Sequence, residues 1–126
     1  MKSDKINSKS QHAAREERVA SHALVELRKH KWWPFGVKSA VLLDVSSNGF
    51  KIEFTSNTSC STGEELLMEI PLSPFGVMSP RSLLLAVQIM WFDEQKMRCG
   101  GVFKTKSPMT MLFVKKIIEA SRDTSL

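Results

Sequence analysis

Long hydrophobic runs, cysteines and catalytic arrangements are all scarce in this chain, and each scarcity removes a class of protein. The longest apolar stretch, Leu83 to Phe92, is interrupted by Gln88 and falls well short of the roughly 20 residues that cross a bilayer. The start, Met1-Lys2-Ser3-Asp4-Lys5, carries charge with no apolar stretch behind it, unlike a secretory signal. A cytoplasmic protein with no membrane insertion is therefore expected. Only two cysteines occur, Cys60 and Cys99, without CxxC spacing or a matching histidine cluster, which argues against a zinc site or a disulfide scaffold. Both should be buried or half-buried thiols. His12, His22 and His30 are scattered without metal-like spacing. No nucleophile has a flanking base, and neither a glycine-rich phosphate loop nor a catalytic carboxylate pair is visible. An enzyme is not expected, and neither a metal nor a cofactor is implied.

What is present fits one small domain. The 126 residues are 42% hydrophobic, enough to bury a core. Eighteen Lys and Arg against 13 Asp and Glu give a net charge of +5, a surplus that favours an anionic partner: a nucleotide, a nucleic acid or an acidic protein surface. Residues 1–18 are rich in Lys, Ser, Asn and Gln and cannot bury enough surface to offset ordering entropy, so they read as a flexible arm. Residues 19–126 read as the folded domain.

Short apolar runs then alternate with turn residues. Leu24 to Arg28 and Ser39 to Asp44 read as strands, separated by Trp32-Trp33-Pro34-Phe35-Gly36. The two tryptophans suit a barrel end or a protein contact. Asn48-Gly49 is a pair that readily takes positive φ, and Phe50-Lys51-Ile52-Glu53-Phe54 alternates with period two behind it. Leu66 to Ile70 reads as a fourth strand ended by Pro71. Leu83 to Phe92 and Met97 to Phe103 flank a polar hairpin connection, Asp93 to Lys96. Ser107-Pro108 supplies an N-cap and a first-turn proline for a helix reaching about Ser121. Its expected apolar face holds Met109, Leu112, Phe113, Ile117 and Ala120, widened by Met111, Val114 and Ile118. Six short strands and one terminal helix predict an all-β fold: a six-stranded antiparallel barrel, closed to remove exposed edges and capped by the C-terminal helix.

The stretch Asp44-Val45-Ser46-Ser47-Asn48-Gly49 fits D-x-S-x-x-G. These are also ordinary turn residues. With Gly100-Gly101-Val102-Phe103 and the terminal helix, the motif resembles the PilZ family of bacterial receptor domains over about residues 15 to 121. The resemblance implies a PilZ-like β-barrel, cyclic di-GMP as ligand, a guanine base held by Asp44, Ser46 and Gly49, and phosphate contacts from arginines before the first strand. Here those arginines are Arg15 and Arg18, spaced R-x-x-R where the family has R-x-x-x-R. Aligning on Arg18 puts Ala14 at the first position, and aligning on Arg15 puts Val19 at the second. The implied function is a second-messenger switch in which ligand orders the arm for a protein partner in motility, pilus, biofilm or exopolysaccharide control. The alternative is a ligand-independent adaptor of the same fold with a degenerate nucleotide site. Binding of nucleic acid ranks last, because no strand face alternates basic and aromatic residues.

Overall fold

A computed structural model describes residues 18–30 and 36–124. Arg15, the rest of the arm before Arg18, and the Trp32-Trp33 pair lie outside the described residues.

Among the described residues, seven strands, one short 3₁₀ turn and one helix follow in order: β1 Val19–Ala20, β2 Leu24–Arg28, β3 Lys38–Val45, β4 Gly49–Phe54, β5 Glu65–Pro71, the turn Ser73–Phe75, β6 Ser82–Asp93, β7 Arg98–Phe103 and α1 Pro108–Thr124. All pairings are antiparallel, in the order β3-β2-β5-β6-β7-β4 and back to β3. The barrel is thus closed by six strands, as the sequence predicts, and β1 pairs outside it with the end of β3. This short strand is not foreseen as a separate element. Val19 was expected to begin the core, and its two-residue pairing with β3 is too brief to leave a periodic signal.

The barrel encloses one core. Leu27, Ala40, Leu42, Ile52, Met68, Ile70, Leu85, Val87, Ile89 and Cys99 are fully buried, each on the inward phase of its strand. Phe50 stacks on Phe103 with ring centroids 5.7 Å apart, and Phe54 meets Phe92 edge-on at 6.3 Å. Both separations lie within the range of favourable aromatic pairs. They fill opposite ends of β4. Cys99 is buried and Cys60 half-buried, as the composition led us to expect.

The helix begins as read: the Ser107 hydroxyl accepts from the Thr110 amide at 3.3 Å, and the Ser107 carbonyl accepts from Met111 at 2.9 Å. Its buried face is the expected one at the centre, with Val114, Ile117 and Ile118 buried and Phe113 packed on the core, and differs at the edge. Thr110, Val114, Ile117, Ile118 and Ser121 turn inward, whereas Met109 is 64% and Leu112 49% exposed. The apolar stripe is wider than the contact it makes, and the helix packs against β1, β6 and the 3₁₀ turn. The stripe's edge is left in solvent.

Ile117→Ala should therefore cost about 2–5 kcal/mol, while Leu112→Ala should stay within about 0.5 kcal/mol. Urea unfolding of both variants checks this; equal losses would place the two side chains on the same face.

Candidate functional site

Two interruptions of strand alternation shape one outer face of the barrel. On β3 the register with β4 shifts between Leu42 and Asp44, leaving Leu43 as an extra residue. On β6 the register with β7 shifts between Ile89 and Trp91, leaving Met90 extra. A bulge of this kind puts two successive side chains on the same side of the sheet. Leu42 and Ile89 point inward with no exposure, Val45 returns inward, and Asp44, Met90 and Trp91 are turned outward.

The outer face reads across five paired strands, β1-β3-β4-β7-β6. Ala20 pairs with Asp44, so with Val19 buried the alternation of β1 carries Arg18 outward beside the carboxylate. An Arg18 Nη1 donates to Asp44 Oδ1 at 3.2 Å. Lys51 pairs with Asp44 across β3 and β4, its Nζ 3.6 Å from Oδ2. Next to Lys51 lies Gly100, and a Cβ at Gly100 would collide with the Trp91 indole, which rests over the bare backbone. Arg18, Asp44, Phe50, Lys51, Met90, Trp91, Gly101 and Val102 together line an open cleft of about 360 Å³. Trp91 is 42% and Met90 50% exposed. The cleft therefore offers two cations, one carboxylate and an aromatic face.

The turn that follows Asp44 is built by Ser46. Its hydroxyl is fully buried and accepts from the amides of Asn48 and Gly49 at 3.3 and 3.2 Å, while the Ser46 amide donates to the Gly49 carbonyl at 2.9 Å. This turn closes without a positive φ at Asn48 or Gly49, contrary to the sequence expectation, because the Ser46 side chain supplies the bonds a left-handed residue would otherwise allow. Gly49 is required for another reason: a Cβ there would run into the Gly101 carbonyl of β7. Gly101 in turn has no room for a side chain against the Gln88 carbonyl and the Phe50 ring. Asn48 Oδ1 accepts from Lys106 Nζ at 3.4 Å, placing a third cation beside the turn.

Of the five residues singled out from sequence, Arg18 and Asp44 meet in the cleft, Ser46 and Gly49 form the turn at its edge, and Arg15 lies outside the described residues. Trp91, Met90 and Lys51 escape sequence reasoning. Lys51 is one charge in an alternating strand, and Trp91 sits in an apolar run that reads as core until the bulge re-aims it. Among the described residues no cluster of three or more His, Cys, Asp or Glu could hold a metal, and no helix is long and apolar enough to cross a membrane.

No protein-family profile matches the sequence, and no curated protein is closely similar to it. Solved structures are similar in fold. The PilZ domain of CeSA from a cellulose-synthesising bacterium superposes with a TM-score of 0.60 at 14% identity, covering 82% of this chain and 95% of that one. The PilZ domain of YcgR from Escherichia coli, solved with c-di-GMP, gives 0.68 at 13% identity over 88% and 92%. The Bacillus subtilis inhibitor of motility MotI/DgrA gives 0.63 at 13% identity over 87% of this chain, which spans 51% of that longer protein.

Replacing Gly49 by Ala should destabilise the barrel by about 1–3 kcal/mol through overpacking against Gly101, measurable as a lower urea midpoint. A midpoint equal to that of the native chain would remove the close approach of β4 and β7 as the reason for glycine.

Proposed function

From a barrel with the fold of PilZ domains, we propose that this chain is a non-enzymatic, cytoplasmic receptor domain for cyclic di-GMP, which a protein partner in motility, pilus or exopolysaccharide control reads in its bound form. The observation that carries the reading is the convergence in one cleft of Arg18, the Asp44 end of the D-x-S-x-x-G turn, and an exposed tryptophan. The PilZ domain of YcgR, solved with c-di-GMP, has the same fold, which supports the choice of ligand.

Each group has a role suited to its chemistry. Trp91, lying over the Gly100 backbone, gives an aromatic face on which a purine stacks. Asp44 accepts from the donor edge of guanine, and the guanidinium of Arg18 grips phosphate with its planar donor fork. Lys51 adds positive charge, and Arg15 brings a second guanidinium from the arm. Ser46 and Gly49 act by fixing the turn that holds Asp44 in place.

The Arg18–Asp44 pair must open for this. Arg18 is more than half exposed in that pair, and surface pairs of this kind contribute about 0–1 kcal/mol. A charge-assisted bond to ligand offers about 1.5–3 kcal/mol. Exchange of one for the other is favourable.

A second reading has its own support. Asp44 is already satisfied by Arg18 and Lys51, and the Ser46 hydroxyl is committed to its own turn, as a ligand-independent adaptor would allow. Calorimetry with cyclic di-GMP separates the two. The receptor reading expects heat of binding that weakens with added salt, a loss of about tenfold or more for Arg18→Ala, and a loss of about fivefold to a hundredfold for Trp91→Ala. Absence of binding heat at high ligand concentration would leave the adaptor.

A further inference from the structure

The end of β1, the connection from β1 to β2, the 3₁₀ turn and α1 leave a hollow between them. Ala20, Leu24, Pro71, Pro74 and Phe75 form its apolar walls around a volume of about 610 Å³. Val25 and Leu27 take the inward phase of β2, so the alternation turns Leu24 outward, where it is 60% exposed. In the wall that α1 supplies, Ser121 is 5% exposed and its hydroxyl has no hydrogen-bond partner among the described residues. Buried hydroxyls are ordinarily satisfied, and this one leaves a bond for an occupant to make.

Leu24 and Pro71 also line a second hollow, of about 330 Å³, which continues along β2 to Glu26, Glu69 and Ser82. The two hollows make one groove, apolar at one end and polar at the other. Glu26 pairs with Glu69 across β2 and β5, and like charges placed directly opposite repel. One guanidinium joins them: Arg28 Nη2 donates to Glu26 Oε1 at 2.9 Å and to Glu69 Oε1 at 2.8 Å, and the Ser82 hydroxyl donates to Glu69 Oε2 at 2.8 Å. Two carboxylates therefore share one cation, and half of the Glu26 side chain stays exposed. The described residues that line this end carry two negative charges and no positive one, in a chain whose net charge is +5.

We propose that the groove docks a partner protein through one extended segment, with a large apolar residue seated among Leu24, Pro71 and Phe75 and a lysine or arginine lying against Glu26 and Glu69. Charge complementarity selects this partner. A basic segment meets repulsion from the chain as a whole and attraction only here, which fixes its position, whereas an acidic segment is repelled by the facing carboxylates. Spacing sets the sequence that fits. Leu24 and Glu26 are two residues apart on one strand, about 7 Å, and an extended segment rises by the same step. The apolar anchor and the basic residue of the partner thus lie about two to four positions apart, and a backbone group beside the anchor supplies the bond that Ser121 lacks. The groove and the Trp91 cleft have no lining residue in common, so the proposal does not rest on cyclic di-GMP as ligand.

The test selects twelve-residue peptides from a phage-displayed random library on the full chain, with and without cyclic di-GMP, and titrates the most enriched peptide by fluorescence anisotropy. Enriched sequences should carry Leu, Phe or Met with Lys or Arg two to four positions away. Leu24→Ser and Glu26→Gln should each lower affinity by about fivefold or more, and Ser121→Ala by about twofold to tenfold. Leu24 and Glu26 are exposed, so both variants should keep the native urea midpoint. Should any variant fail to fold, the labelled native chain decides, because peptide should shift the amides from Ala20 to Leu24 together with those of Phe75 and Ser121. A library that yields no enriched sequence, enriched peptides without a basic residue, shifts on another face, or unchanged affinity in the folded variants would each overturn the proposal. A native dimer that Leu24→Ser dissociates would overturn it as well, by giving the groove to a second copy of the chain.

Discussion

Closure of the sheet through β3 and β4 is the constraint on which the remaining features depend. β3 pairs with β2 along its first half, with β4 along its length and with β1 at its end, so it cannot lie flat. A closed barrel requires tilt and curvature, and bulges are how a strand gains both. The extra residues at Leu43 and Met90 supply that bend and shift the inward phase of β3 and β6 by one residue beyond each bulge. The same closure forces β4 and β7 into an approach that only Gly49 and Gly101 tolerate.

The candidate site is a by-product of that solution. Each bulge turns a side chain outward that strict alternation would have sent elsewhere, and the strands lying between them, β4 and β7, contribute Lys51 and a glycine floor. β1 completes the face by holding Arg18 against Asp44. Curvature and chemistry therefore share residues. The core beneath, with Phe50 on Phe103, fixes the backbone from which the polar groups project.

Much of this was legible in the sequence. The strand boundaries of β2 to β7 differ from their reading by a residue or so, because period-two runs such as Phe50 to Phe54 and breakers such as Pro71 mark them directly. Ser107-Pro108 marked the helix start. Three things were not legible, each for a physical reason. The edge of the helix face could not be read: Val114, Ile117 and Ile118 are buried as expected, but an apolar stripe broader than the contact leaves Met109 and Leu112 in solvent. Asn48-Gly49 suggested a left-handed turn, yet the hydroxyl of Ser46 made one unnecessary, and the glycine answers to a neighbour on β7 far away in sequence. Trp91 was not singled out, because a bulge leaves no trace in an apolar run. Arg18 and Asp44, by contrast, were identified from the motif and are brought together by β1.

Nuclear magnetic resonance titration of the isotopically labelled chain with cyclic di-GMP tests the central claim most directly, because it reports each strand of the cleft separately. The account predicts that the Trp91 indole N–H, the amides from Asp44 to Gly49 and those of Gly100 and Gly101 move together along one saturating curve, while α1 and the Cys60 loop stay still. Shifts that leave Trp91 and Asp44 unmoved at saturating ligand, or that gather on another face of the barrel, would contradict it.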